Sequence, residues 1–419
     1  MDRSPNLQAR GQHRARLGPS LILSLLALSL VAANTGCLYR MESVKNTAPV
    51  VHKAQTSDGW KLALHRYPVT GTAPAGDPII FCHGISSNRF NWGVDAENSL
   101  PVFLSRRGHD VWLLELRGAG ESEWPEAFGG KDYDWSFDTY VQYDVPAAID
   151  YVRTTTGKAR VNWIGHSMGG MIILAYMASY PAGPEQAAKA PLPPASEPPL
   201  GWVVTLGSPT KKGPIDRESK VLQFIVPFET VVKTMPFVPG NIGTKMIAPF
   251  SAWGETFWDL LIWNKKNMDR KTIKYAAANA VNNISRGVAL EFIKWLKTGQ
   301  WMNVDDSFDF RANLQRITTP ALIVAGSLDG LAPPTHVEPG FELLRSPLKR
   351  YLQLGRNYGF SADYGHVDMV MGLRAADEVF PKIADFVDEA EAYLAKTDPT
   401  PRMQPSSATA PVATAAGAR

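Results

Sequence analysis

Apolar positions along this chain alternate between short runs and longer stretches of helical period. Ile79 to Phe81, Val111 to Leu116, Val161 to Ile164, Val203 to Leu206 and Leu322 to Ala325 are short, mostly apolar runs. Such runs read as strands buried on both faces. Trp60 to Tyr67 alternates like a strand with one buried face, and a further strand is expected around Tyr351 to Leu354. Between them the period changes. Val141, Val145, Ala148, Ile149 and Val152 line one face of a predicted helix with a kink expected at Pro146. Met168 to Tyr180 predicts a second helix, and Val379, Ile383, Phe386, Val387 and Leu394 a closing helix that packs on the sheet. Strands alternating with helices predict an α/β domain whose mostly parallel central sheet carries helices on both faces.

Two stretches interrupt the alternation. Residues 181–200 are rich in Pro and Ala without an apolar period and read as a surface loop. Residues 210–315 carry aromatic-rich helical patterns between two strands, as an inserted helical cap would. Its aromatics are Phe224, Phe228, Phe237, Phe250, Trp253, Phe257, Trp258, Trp263, Tyr275, Phe292, Trp295 and Trp301. Most are expected in the cap's own core, a few at a pocket. The resulting division is an export signal (1–36), a linker (37–57), the first part of the core (58–209), the cap (210–315), the second part of the core (316–396) and a disordered tail (397–419). No internal repeat stands out.

Composition narrows the class. In 419 residues, 45% are hydrophobic and 20% charged, enough apolar surface to fold as a globular protein. The net charge is +3, and four arginines against Asp2 place all of it in residues 1–36. A nucleic-acid partner would need a basic face on the folded part, and the charge balance gives no sign of one. The leader has a basic stretch, the apolar run Leu21 to Ala33 and small residues ending at Gly36-Cys37. That run is too short for a bilayer-spanning helix, which needs about 20 residues. Cleavage before Cys37 would yield a lipidated, membrane-attached protein, although Asn34 stands where a bacterial lipobox usually has Leu. Ordinary secretory cleavage or an uncleaved anchor is the alternative. The only other cysteine, Cys82, closes an apolar run and is expected to be a buried free thiol.

The candidate chemistry starts at Gly165-His166-Ser167-Met168-Gly169, between a predicted strand and a predicted helix. That is the context of a nucleophile elbow, in which Gly165 and Gly169 allow close backbone approach. A serine hydroxyl is barely ionised at neutral pH, so Ser167 needs a base. His366, in Tyr364-Gly365-His366-Val367-Asp368 after the last predicted strand, is the histidine in the expected loop. Asp329, directly after Leu322 to Ala325, is the expected acid that accepts the Nδ1 hydrogen of His366. Asp363 and Asp368 are nearer in sequence, but a histidine is oriented from neighbouring scaffold. An oxyanion hole is expected from the backbone N–H groups of Ile85, in His83-Gly84-Ile85, and of Met168.

Further short matches carry a resemblance. They are Asn98-Ser99-Leu100 through Gly108-His109-Asp110-Val111-Trp112-Leu113, Trp135-Ser136-Phe137-Asp138 and Tyr143-Asp144-Val145-Pro146-Ala147. With His83-Gly84, Asn91-Trp92 and the segment around His366, they resemble the acid lipase family of gastric and lysosomal lipases, over about residues 56–180 and 316–372. The resemblance implies a capped α/β-hydrolase fold and a triad of Ser167, Asp329 and His366, with oxyanion donors on Ile85 and Met168. It also implies carboxylic ester hydrolysis without metal or organic cofactor. Where these lipases have Gln after the nucleophile, this chain has Met168, which leaves the backbone donor in place.

The expected function is therefore an exported lipase or carboxylesterase acting on an ester or lipid. An acyltransferase with the same triad, or a catalytically silent lipid-binding lipoprotein, is the alternative. Dehalogenases and epoxide hydrolases of this fold use an aspartate nucleophile, which Ser167 argues against. No oligomeric state is legible.

Overall fold

The computed structural model describes residues 50–67, 69, 76–93, 96–125, 131–185, 197–212, 229–247 and 262–397. The leader with Cys37, the chain after Thr397 and the aromatics Phe224, Phe228, Phe250, Trp253, Phe257 and Trp258 lie outside the described residues.

In chain order the main elements are β1 (Val50–Gln55), β2 (Lys61–Tyr67), β3 (Ile79–Cys82), α1 (Leu100–Arg106), β4 (Val111–Glu115), α2 (Val145–Thr156), β5 (Val161–His166), α3 (Met168–Ser179) and β6 (Leu200–Leu206). The inserted region follows with α4 (Glu229–Thr234), β7 (Phe237–Val238), α5 (Gly240–Ile247), α6 (Arg270–Asn279), β8 (Ile284–Ser285) and α7 (Arg286–Thr298). The chain then returns through β9 (Ala321–Gly326), α8 (Pro334–Leu343), β10 (Lys349–Leu354) and α9 (Phe380–Thr397).

Eight strands form one sheet in the order β1-β2-β4-β3-β5-β6-β9-β10. The pairs β1/β2 and β2/β4 are antiparallel, and every other pair is parallel. Parallel strands need crossovers, and helices on both faces bury their continuous apolar runs. All residues of β3, β4, β5, β6 and β9 are accordingly buried. One apolar cluster contains Ile80, Leu114 and Trp163 with Ile149 of α2 and Ile172 of α3. The other joins Phe81, Leu113 and Trp202 to Leu104 of α1 and Phe386 of α9. Helix α3 is buried all round, so it lies inside the domain.

Four expectations change. The linker expected to run to residue 57 contains β1, an edge strand with only Ala54 buried, which explains its lack of an apolar pattern. β2 does not alternate in burial: Leu62, Ala63, Leu64 and His65 are all buried, Leu62 and Leu64 within an apolar cluster on one face and His65 against Glu115 on the other. The loop expected to run to residue 200 ends one residue earlier, since Leu200 opens β6. Instead of a kink at Pro146, a π-helical turn over Tyr140–Asp144 precedes α2, with the Val145 N–H donating to the Tyr140 carbonyl. Pro146 then falls in the first turn of α2, where its missing N–H does no harm.

The inserted region shares the domain's core, so its described aromatics do not build the separate core expected of them. Val288, Trp295, Leu296, Trp301, Phe308 and Phe310 belong to the same apolar cluster as α3, and Phe137 meets Phe310 edge-on at 5.8 Å. Phe237 stacks obliquely on Tyr133 at 4.7 Å. Among the described residues, no helix is long and apolar enough to cross a membrane.

Candidate active site

Five loops meet at the ends of β3, β5, β6, β9 and β10. Ser167 occupies the sharp turn from β5 into α3 with φ 54° and ψ −121°, a conformation that a side chain rarely adopts. Neighbouring backbone holds it there. Its N–H donates to the Leu206 carbonyl at 2.8 Å, and its own carbonyl accepts from Gly170 N–H at 3.0 Å and from Ser208 Oγ at 2.9 Å. The glycines are required by space. A Cβ on Gly165 would lie 2.5 Å from the Gly169 carbonyl carbon, and one on Gly169 would lie 2.3 Å from the Cys82 carbonyl oxygen. A Cβ on Gly84 would lie 3.0 Å from Ser167 Cβ, so the loop after β3 passes directly beside the serine.

His366 is buried in the loop after β10, with Nδ1 2.7 Å from Asp329 Oδ2. The other oxygen of Asp329 accepts from Leu331 N–H at 2.9 Å and Ala332 N–H at 2.7 Å. The carboxylate is thus held from both sides. A Cβ on Gly207 would come within 3.0 Å of Asp329 Oδ2 and 3.1 Å of His366 Nδ1, so the pair packs on the turn after β6. Because Leu206 also receives the Ser167 N–H, serine, histidine and aspartate converge on that one turn.

The groups expected to form the oxyanion hole are backbone N–H groups. Ile85 N–H has no hydrogen-bond partner among the described residues. Met168 N–H lies in the first turn of α3, where a helix leaves its N–H groups without an internal acceptor. His83 holds the loop that carries Ile85: its Nδ1 donates to the Gly84 carbonyl at 2.8 Å and its Nε2 accepts from Leu116 N–H at 3.2 Å. Burial lowers its proton affinity, consistent with a neutral ring in those two contacts. The neighbouring Cys82 is a buried free thiol, and burial pushes its pKa well above the ordinary value.

The inserted region is stitched to two of these loops. Asn282 N–H donates to the Ser86 carbonyl at 2.8 Å, and Ser87 Oγ donates to the Ala280 carbonyl at 2.8 Å, directly after Ile85. At the histidine loop, Val367 N–H donates to the Ile262 carbonyl at 2.8 Å. Asp368 anchors the same join. It is buried and accepts from Gly365 N–H at 2.8 Å, Asn264 N–H at 3.0 Å and Asn267 Nδ2 at 3.0 Å. Burial raises its pKa to about 6 against the pull of those donors. Asp363 instead accepts from Ser327 Oγ and Arg356 N–H, so neither carboxylate near His366 in sequence faces its ring nitrogen.

Sequence reasoning passed over Asn91, His166, Gly207 and the anchoring role of Asp368. His65 is buried on β2 with Nε2 2.9 Å from Glu115 Oε2, away from this site's proton path. Among the described residues, no group of three or more His, Cys, Asp or Glu is arranged to hold a metal ion.

Residues 77–356 match the family model described as the alpha/beta hydrolase fold, a match that ends before His366. The chain is 25% identical over 364 residues to triacylglycerol lipase 2 of Arabidopsis thaliana, spanning 80% of this chain and 83% of that one. It is 34% identical over 131 residues to gastric triacylglycerol lipase of Bos taurus, spanning 29% and 33% respectively. A hydrolase from Pseudomonas aeruginosa PA01 superposes with a TM-score of 0.51 at 18% identity, over 81% of this chain and 99% of that one. At that identity the likeness concerns the fold alone.

Proposed function

Because the chain belongs to the α/β-hydrolase fold family, we propose that it hydrolyses carboxylic esters, as a lipase or carboxylesterase, through Ser167, His366 and Asp329. It is an enzyme of the ester hydrolase class. The observation that carries the mechanism is the 2.7 Å contact between His366 Nδ1 and Asp329 Oδ2 beside the strained turn at Ser167. With Nδ1 taken by Asp329, Nε2 is the nitrogen left to accept a proton from the serine.

In the first half-reaction Ser167 Oγ bonds to the ester carbonyl carbon while its proton passes to His366 Nε2. The developing oxyanion is met by the N–H groups of Ile85 and Met168, each worth about 3 kcal/mol in comparable sites. Collapse breaks the carbon–oxygen bond of the ester, and His366 returns the proton to the departing alcohol. Water then attacks the acyl-enzyme, giving one proton to His366. The acid leaves as that proton returns to Ser167. Asp329 stays ionised throughout and stabilises the imidazolium.

The proposal extends to an exported enzyme, held at a membrane through Cys37 or released. Incorporation of labelled palmitate that is lost in Cys37→Ser would support attachment.

A fluorophosphonate probe tests the central claim. The wild type should be labelled and should hydrolyse a soluble ester, and Ser167→Ala should do neither. An unlabelled but folded wild type would favour a silent lipid-binding protein. Transfer of the acyl group to an added alcohol, with little free acid, would favour an acyltransferase. A series from acetyl to long-chain esters, with and without a lipid interface, separates esterase from lipase.

A further inference from the structure

His166, the residue before the serine, is a buried histidine with no part in the proton path described above. Its Nε2 lies 2.9 Å from the backbone carbonyl oxygen of His366, and its ring faces the His366 ring at 4.7 Å. Its Nδ1 lies 3.0 Å from the side-chain amide of Asn91, which is also buried, in the short 3-10 helix Arg89–Trp92 after the Ile85 loop. Three loops of the site therefore meet through one imidazole.

Hydrogen-bond chemistry assigns the protons. A backbone carbonyl only accepts, so Nε2 carries a hydrogen. Burial, and then the adjacent charge of His366, depress the proton affinity of His166 well below the ordinary range, which leaves Nδ1 unprotonated. An unprotonated Nδ1 needs a donor. Asn91 Nδ2 is buried without a partner, while Oδ1 is the amide atom beside Nδ1. The two ends of a carboxamide are nearly equal in size, so a half-turn of the amide gives Nδ1 its donor and Nδ2 its acceptor.

We infer that Asn91 and His166 are positioning residues: Asn91 donates to His166 Nδ1, and His166 Nε2–H holds the backbone of His366. This rests on the proposed triad. Asp329 fixes one ring nitrogen of His366, and the Gly365 and Val367 N–H groups tie its loop to Asp368 and to Ile262, but none of these contacts refers the histidine to the serine. The contact that does so comes from the residue bonded directly to Ser167. The neutrality of His166 also matters, since a second cation 4.7 Å away would oppose the imidazolium that forms on His366.

The test uses the full chain, a soluble p-nitrophenyl ester and the fluorophosphonate probe. The amide nitrogen of a glutamine reaches roughly the place of histidine Nε2, and that of an asparagine only the place of Nδ1. His166→Gln should keep kcat within about threefold of wild type. His166→Asn and His166→Leu should lose about 10- to 100-fold in kcat and in the labelling rate, with KM nearly unchanged. If His166→Leu does not fold, the Gln and Asn pair carries the comparison alone. Equal kcat for Gln and Asn, or parallel loss of activity and thermal midpoint in all variants, overturns the inference. A wild type that neither turns over nor is labelled overturns the triad itself, which is a different result.

Discussion

Asp329 Oδ2 lies 2.7 Å from His366 Nδ1, although 37 residues separate the two in the chain. The contact follows from the sheet. β9 and β10 are parallel neighbours with Gly326 paired to Leu354, so the loops that leave them emerge side by side at one edge. Asp329 is then fixed by two backbone N–H groups on its other oxygen.

Replacing that carboxylate with an amide of the same shape tests its charge. Asp329→Asn should leave the thermal midpoint within a few degrees of wild type. kcat on a soluble ester should fall by about 10⁴-fold, because the amide favours the wrong tautomer of His366. Retained activity would mean that another group orients the ring.

Gly207 supports the pair from below. It has φ +58°, and an added methyl would lie 3.0 to 3.2 Å from Asp329 Oδ2 and the His366 ring. Gly207→Ala should lower stability by about 1–2 kcal/mol through the left-handed backbone alone. kcat should drop further than that loss explains, as ring and carboxylate shift by a few tenths of an ångström. Urea unfolding and steady-state kinetics on the same preparation separate the two effects.

Asp368 joins the histidine loop to the segment after residue 262 with three accepted hydrogen bonds. Asp368→Ala strands three donors, two of them buried, and a loss of about 3 kcal/mol is expected in urea unfolding. Asp368→Asn still offers an oxygen to the two backbone donors and should lose less. Similar losses for both variants would show that charge rather than acceptance matters.

Acidity should act at the junction with the inserted region. Glu291 of α7 accepts from Phe137 N–H, and burial, reinforced by the charge of Asp138, lifts its pKa to about 8 against that hydrogen bond. Burial likewise raises Asp138 to about 6 against the N–H of Val304. A carboxyl whose pKa rises on folding binds its proton more tightly when folded. Its contribution to stability is therefore full below about pH 4.5 and declines as pH climbs to about 8. Glu291→Gln should raise the thermal midpoint at pH 8 and change it little at pH 5. A uniform shift at both pH values would contradict this.

Much of the scaffold was legible along the chain, because strands buried on both faces are apolar runs and the helices between them keep a 3.6-residue period. The turn at Ser167 was legible for a similar reason: glycines are needed where backbone passes within 3 Å, and they stand two residues to either side. The edge strand β1 was not, since only one of its residues is buried and no apolar pattern marks it. Nor was the link from Asn91 through His166 to His366. Its hydrogen bonds span 75 and 200 residues, and a polar pair that meets only across a folded sheet leaves no local periodicity. Local chemistry is written in neighbouring residues, and Asp329 could be expected from its place after β9, whereas its contact with His366 depended on which strands lie side by side, which only burial of the whole sheet decides.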